Sequence, residues 1–175
     1  MEFESWENYY IASLVWYYEK DKPSLVPTDS IKVMNAISEN THHYKISGEI
    51  WSGKKAGQYP GLRIYNDTTY DEGRSFSGYS QFNAAINKSN NGVRIRLRTE
   101  HVNFQGVNVW VDGRKVAEKP WVIIKNNFVA LWVTSDFEIP AKYTVGKSNI
   151  SIRLEHIPSY KNWIEYKYDI LSHVQ

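Results

Sequence analysis

The sequence contains no cysteine, which rules out disulfide frameworks, thiolate nucleophiles and cysteine-based zinc sites together and leaves the redox state of its compartment unmarked. It also lacks any apolar run of about 18 residues, the length a membrane-crossing helix needs. Its opening residues, Met-Glu-Phe-Glu-Ser-Trp-Glu, are acidic and aromatic where a secretory leader is basic and then apolar. No signal peptide is expected within this chain, and an extracellular, cell-surface or virion location stays open. Neither sign of charge dominates. Lys and Arg total 21 against 19 Asp and Glu, a formal charge of +2, which is too even for a phosphate-binding footprint, so nucleic acid is not an expected partner. There is no glycine-rich phosphate loop, no GxSxG elbow and no HExxH pair. Nucleotide enzymes, the common serine hydrolases and zinc hydrolases drop out with them, and no cofactor is expected.

Aromatic residues are plentiful. Seven Trp, thirteen Tyr and six Phe in 175 residues exceed what one core of this size consumes. Tyr and Trp favour sheets, interfaces and sugar-binding surfaces, so some of these rings are expected to face outward. The length fits a single domain, residues 1–175, with no repeat and no interior linker.

Strand periodicity dominates. In Val93-Arg94-Ile95-Arg96-Leu97-Arg98 aliphatic and cationic residues alternate, placing one face in the core and the other in solvent. The same alternation recurs in Val107-Asn108-Val109-Trp110-Val111, Ile150-Ser151-Ile152-Arg153-Leu154 and Tyr166-Lys167-Tyr168-Asp169-Ile170. Residues 10–18 form a continuous apolar and aromatic run, consistent with a strand covered on both faces. Asn91-Gly92, Asp112-Gly113 and Tyr59-Pro60-Gly61 supply turn chemistry. The best helix candidate is residues 29–38, capped by Thr28 or Asp29, although the segment reads equally well as extended. The fold class is all-β: a jelly-roll β-sandwich of about eight strands in two antiparallel sheets.

The densest polar cluster is Ser38-Glu39-Asn40-Thr41-His42-His43-Tyr44, which runs into Tyr44-Lys45-Ile46-Ser47-Gly48-Glu49-Ile50-Trp51. On a regular strand Ser47, Glu49 and Trp51 share a face opposite Ile46 and Ile50, pairing a carboxylate with a ring. The same residues also read as a solvated loop with surface histidines. Adjacent His42 and His43 point to opposite sides, so no zinc site is expected. The acidic stretch from Asp67 to Glu72 lacks the spacing of a calcium loop. A second cluster, Asp71-Glu72-Gly73-Arg74-Ser75-Phe76, joins acids, a glycine suited to a tight turn and an arginine able to clamp a carboxylate with both arms, read here as an Arg-to-Asp tie.

Several short motifs carry a family resemblance. They are Trp16-Tyr17-Tyr18, Ser38-Glu39 with His42 and Tyr44, Asp71 to Phe76 with Gly78 and Phe82, and Asn91-Gly92-Val93. Further along come Val111-Asp112-Gly113, Phe137 with Ile139-Pro140-Ala141, Thr144 with Gly146-Lys147-Ser148, and Trp163 with Glu165-Tyr166 and Tyr168. In this order the sequence resembles the second, C-terminal jelly-roll half of the double jelly-roll glycoside hydrolases of family 172, the fructofuranosidase-like group. Those enzymes are related in architecture to jelly-roll viral capsid proteins.

The resemblance implies furanoside substrates, a retaining outcome, and a homo-oligomer built from trimers or larger assemblies. Retention needs carboxyl groups about 5 Å apart, one a nucleophile and one an acid/base. Carried onto this chain, Glu39 is the catalytic carboxylate held in the Ser-Glu-x-x-His-x-Tyr pattern. Glu49 is its nearest partner, with Asp71 and Glu72 behind it, and His42, Tyr44, Trp51 and Arg74 are the groups expected to contact carbohydrate. The family uses two jelly rolls where this chain supplies one. Sugar binding without cleavage is therefore a second expectation, and a structural subunit of a capsid or surface assembly a third.

Overall fold

The computed structural model describes residues 24–56, 70–100, 103–116, 119–124 and 132–174. The aromatic run at residues 10–18, the Tyr59-Pro60-Gly61 turn and Asp67 lie outside the described residues. In chain order the strands are β1 (Ser24–Lys32), β2 (Lys45–Ala56), β3 (Tyr70–Ala85), β4 (Gly92–Glu100), β5 (Gln105–Val111), β6 (Arg114–Lys115), β7 (Trp121–Ile123), β8 (Trp132–Pro140), β9 (Asn149–His156), β10 (Trp163–Glu165) and β11 (Lys167–Val174). One short helix, α1 (Ala36–Thr41), and a 3-10 turn at Ala141–Tyr143 complete the described elements.

Two antiparallel sheets face each other. The smaller has the order β1-β11-β4-β8, and the larger runs β10-β3-β9-β5-β6, with β2 on the other edge of β3 and β7 beside β5. Taking β6 and β7 as one broken strand and setting aside β2 and β10, eight strands remain. Their sheets read first-eighth-third-sixth and second-seventh-fourth-fifth, which is the order of a jelly roll.

The expected alternation accounts for the layers. Val93, Ile95 and Leu97 of β4 are buried, and they meet Phe82 and Ala84 of β3, Ile150, Ile152 and Leu154 of β9, and Val107, Val109 and Val111 of β5 in one core. The alternating Arg94 and Arg96 face outward and pair across the strand boundary with Glu138 and Asp136 of β8, in register. Such opposite-charge cross-strand pairs stabilise a solvated sheet face modestly. At Asp112-Gly113, φ values of 49° and 77° form the tight turn that joins β5 to β6.

Two local expectations change. Residues 29–32 belong to strand β1, and the helix begins later, at Ala36, capped by Asn35, whose side chain accepts from Ser38 N at 2.9 Å. Ile31 and Val33 are wholly buried with the exposed Lys32 between them, a two-residue period that sheet pairing with β11 satisfies and a helix would not. Asp71 to Phe76 form part of strand β3 rather than a turn. Gly73 is required there because a Cβ would come within 2.5 Å of the Glu165 carbonyl and the Tyr166 ring.

Candidate functional site

The site lies where β2, β3, β10 and α1 meet at one end of the sandwich. Arg74 of β3 is opposite Glu165 of β10 on one side and Ser52 of β2 on the other. Paired residues in an antiparallel ladder project to the same face, so Arg74, Glu165 and Ser52 point the same way as the buried Phe76 and Trp163. Arg74 is thus an inward-directed cation at the open end of the core, with its side chain about one-fifth exposed.

Register irregularities between β2 and β3 decide which residues of β2 join this group. The β2–β3 pairing shifts between Ser47 and Glu49 and again between Glu49 and Trp51. Glu49 therefore stands opposite Phe76 and Trp51 opposite Ser75, neighbours of opposite parity, so Glu49 turns inward and Trp51 outward. The expected shared face of Ser47, Glu49 and Trp51 does not form. The first irregularity adds a residue to β3, where Ser77 and Gly78 stand against Gly48, and the second adds Ile50 to β2, so the two cancel and only Glu49 between them is turned inward. The first bulge contains Gly48 at φ +67°, and its Cβ position lies 2.7 Å from Gly78 N, so the crossing accepts no side chain there.

Glu39 arrives from the first turn of α1. Its Oε1 accepts Met34 N at 2.7 Å, from a residue with left-handed φ of 67°, and this bond ties the helix start to the end of β1. Arg74 then joins the two glutamates. Nε and Nη2 donate to the Glu39 carboxylate at 3.2 Å, and Nη1 donates to Glu49 Oε2 at 2.5 Å. Ser52 Oγ donates to the other Glu49 oxygen at 3.1 Å. Two carboxylates from α1 and β2 thus engage one guanidinium from β3. The expected Arg-to-Asp tie is replaced, because Asp71 pairs with Arg98 of β4 instead.

Beneath Arg74 lies a buried hydroxyl–carboxyl network. The Arg74 guanidinium carbon sits 5.9 Å from the Tyr44 ring centroid, and the Tyr44 hydroxyl donates to Glu165 Oε1. Tyr168 and Ser80 donate to Glu165 Oε2, the latter at 2.9 Å. Trp163 Nε1 donates to the Tyr168 hydroxyl at 3.1 Å. Glu165 is wholly buried. Burial raises its pKa above the ordinary glutamate value, opposed by the hydroxyls of Tyr168, Tyr44 and Ser80 and by the charge of Arg74. Burial likewise pushes the Tyr44 hydroxyl upward, reinforced by the adjacent Glu165, so Tyr44 acts as a donor.

The remaining candidates lie apart. His42 packs against β1 and its own helix, with Nδ1 2.6 Å from Ser38 O and Nε2 3.0 Å from Asp29 Oδ1. Asp29 Oδ2 in turn accepts Ala85 N at 2.7 Å, so His42 and Asp29 tie β1, α1 and β3 together. Trp51 is about one-third exposed on the outer face, with Lys55 Nζ 5.8 Å from its ring. Glu72 stands in β3 opposite Lys54 and takes no part in the Arg74 cluster. Among the described residues no group of three His, Asp or Glu side chains is arranged to hold a metal ion.

In the sequence Glu165 stands out only through its place in the family resemblance. A signal for it exists: in Trp163-Ile164-Glu165 the carboxyl shares the parity of a buried tryptophan, placing it on the inward face.

No protein-family model matches the sequence, and no curated protein aligns with it. Among solved structures, the chain is similar to the catalytic unit of a thermostable GH87 α-1,3-glucanase from Streptomyces thermodiastaticus strain HF3-3, with a TM-score of 0.44 and 9% identity over 88% of this chain and 27% of that one. It is similar also to a GH115 4-O-methyl-α-glucuronidase with specificity for decorated arabinogalactans, with a TM-score of 0.41 and 10% identity over 73% of this chain and 17% of the other. A third is the insecticidal crystal protein Cry2Aa, with a TM-score of 0.35 and 8% identity over 58% of this chain. The chain spans about a quarter or less of the length of each of these proteins.

Proposed function

We propose that the protein binds carbohydrate at the end of the sandwich that carries Glu39, Arg74 and Glu49, and that it does so without cleaving the glycosidic bond. The observation behind this reading is the convergence of three planar polar groups from three elements at a partly exposed site, with Glu39, Arg74 and Glu49 side chains 18%, 20% and 35% exposed. Carboxylates and guanidinium groups fit the paired hydroxyls of a sugar because each offers two acceptors or donors in a plane. Cleavage with retention needs the scissile bond between the two carboxyl groups. Here the guanidinium occupies that place, held by four hydrogen bonds. A furanoside ligand and a relation to the family 172 hydrolases are the finer form of the proposal, as is assembly into trimers or their multiples.

The test is calorimetric titration of the protein with furanosides and pyranosides, combined with chromatography for released sugar and light scattering for mass. Binding that weakens roughly tenfold or more in Glu49→Gln, as expected from loss of a charge-assisted hydrogen bond, with no product formed, supports the proposal. Sugar release that disappears in Glu39→Gln replaces it with a hydrolase. Affinity unchanged in both variants removes the site.

A further inference from the structure

The outer face of the larger sheet, away from Glu39, carries a cleft of about 370 Å³ lined by Gln81, Trp110, Gly113, Ser151, Arg153 and Glu155. That volume falls within the roughly 300–1,000 Å³ of small-molecule sites. Its walls come from three adjacent strands whose register sets the side chains in rows. Gln81 of β3 faces Arg153 of β9, which faces Trp110 of β5; in the next row Tyr79 faces Glu155, which faces Asn108. All these residues have the outward parity, since Phe82, Ile152 and Val109 fill the core from the alternate positions.

The polar groups in the cleft hold one another in place. The Arg153 guanidinium carbon lies 3.8 Å from the Tyr79 ring centroid, and Nη2 donates to Glu155 Oε1 at 3.2 Å. Gln81 Nε2 donates to Ser151 Oγ at 3.0 Å. Ser151 N donates to Asp112 Oδ1 at 2.8 Å, which fixes the turn that carries Gly113. Trp110 Nε1 is shielded from water and has no hydrogen-bond partner among the described residues. An unspent buried donor costs about 1–3 kcal/mol, so what Trp110 offers the cleft is the face of its indole.

The geometry points to a second carbohydrate site in this cleft, one that takes a neutral oligosaccharide lying across β3, β9 and β5. An indole offers apolar surface to the C–H face of a sugar, while the amide, the hydroxyl and the ion pair offer paired donors and acceptors to its hydroxyls. Within a row the side chains stand about 4.8 Å apart from strand to strand, which spaces these contacts along a chain-like ligand. The charges select among ligands: Arg153 is already neutralised by Glu155, so a phosphate or uronate would meet a carboxylate at the same place where it sought the cation. This site shares no residue with the Glu39 cluster and stands whether or not that cluster binds sugar.

Neutral gluco-, xylo-, arabino- and fructo-oligosaccharides, with oligogalacturonides as the charged comparison, are titrated at about millimolar concentration by calorimetry and tryptophan fluorescence. Measured in Glu49→Gln protein, where binding at the first site is weakened, affinity for a neutral oligosaccharide is expected to fall roughly tenfold or more when Gln81→Ala or Trp110→Phe is added, from loss of the amide's hydrogen bonds or of the indole's stacking surface. Circular dichroism and the midpoint of unfolding verify that each variant is folded. Gln81 is partly exposed, so its substitution keeps the test valid even if the tryptophan variant fails to fold. Unchanged affinity in Gln81→Ala, tighter binding of the oligogalacturonides, or no binding of any neutral oligosaccharide overturns the proposal.

Discussion

At Glu165 the fold buries a carboxyl group among three hydroxyls and beside an arginine, and the consequence is a pH dependence of definite sign. Burial raises its folded pKa above the ordinary 4.5, so the native state holds this proton more tightly than the unfolded chain. The stability it contributes is complete below pH 4.5 and is lost as pH rises through the folded value. Asp136 behaves oppositely. Its hydrogen bonds with Arg96 hold it below the ordinary 3.8 against the opposing effect of burial, so its contribution is present above pH 3.8 and is lost as pH falls through the depressed value. Urea denaturation across the acid-to-neutral range separates the two: Glu165→Gln should remove the decline above pH 4.5 and leave the acid limb, whereas Asp136→Asn should reduce only the acid limb. Persistence of the upper decline in Glu165→Gln would refute the assignment. At Arg74, replacement by Ala leaves Glu39 and Glu49 facing each other without a cation, and about 1.5–3 kcal/mol of stability should be lost. Lys keeps the charge but not the fork that serves both carboxylates, so Arg74→Lys should recover only part of that loss.

Among the elements, the β2–β3 pair determines the site. Both strands are long, and the two register shifts between them, one in β3 and one in β2, turn Glu49 toward Arg74 and leave Trp51 facing away from it. The first shift depends on Gly48, which combines a left-handed φ with close contact to Gly78. Gly48→Ala is therefore expected to cost about 1–3 kcal/mol, measured by equilibrium unfolding, and to weaken any ligand that Glu49 contacts. If stability and affinity both match the parent, the bulge does not orient Glu49. The alternation in β4, β5 and β9 was legible because residues 93–98, 107–111 and 150–154 keep a period of two, buried and then partly exposed. The parity of Glu49 and Trp51 was not legible: a bulge is a property of the pairing between two strands, and its partner lies more than twenty residues away.

For the whole molecule, the jelly roll places the ends of the described chain side by side. Strand β11 lies between β1 and β4, so the last strand completes the sheet that the first begins. A chain ending before Trp163 loses the central strand of the smaller sheet together with Tyr168 and Ile170 of the core. Such a truncation should show no cooperative unfolding transition by circular dichroism, and a cooperative transition would mean that β1 can pair elsewhere. The same non-local pairing predicts refolding on the millisecond-to-second scale that all-β folds of high contact order show. Function is not fixed at this scale, since one sandwich serves enzymes, binding domains and shells alike, and it follows from which side chains the strands bring together.

The sequence by itself determined the all-β class, the inward and outward faces of β4, β5, β9 and β11, and the turn at Asp112-Gly113, because these depend on local alternation and on backbone preference. It also held Glu39, Glu49 and Arg74 among its polar clusters. Tertiary structure alone decided that Arg74 lies between the two glutamates, that Asp71 pairs elsewhere, that His42 ties β1 to the helix, and that Glu165 is buried. Each of these is a contact between residues distant in sequence or a face set by a neighbouring strand. Composition and spacing within one segment carry no information about which distant strand will lie beside it.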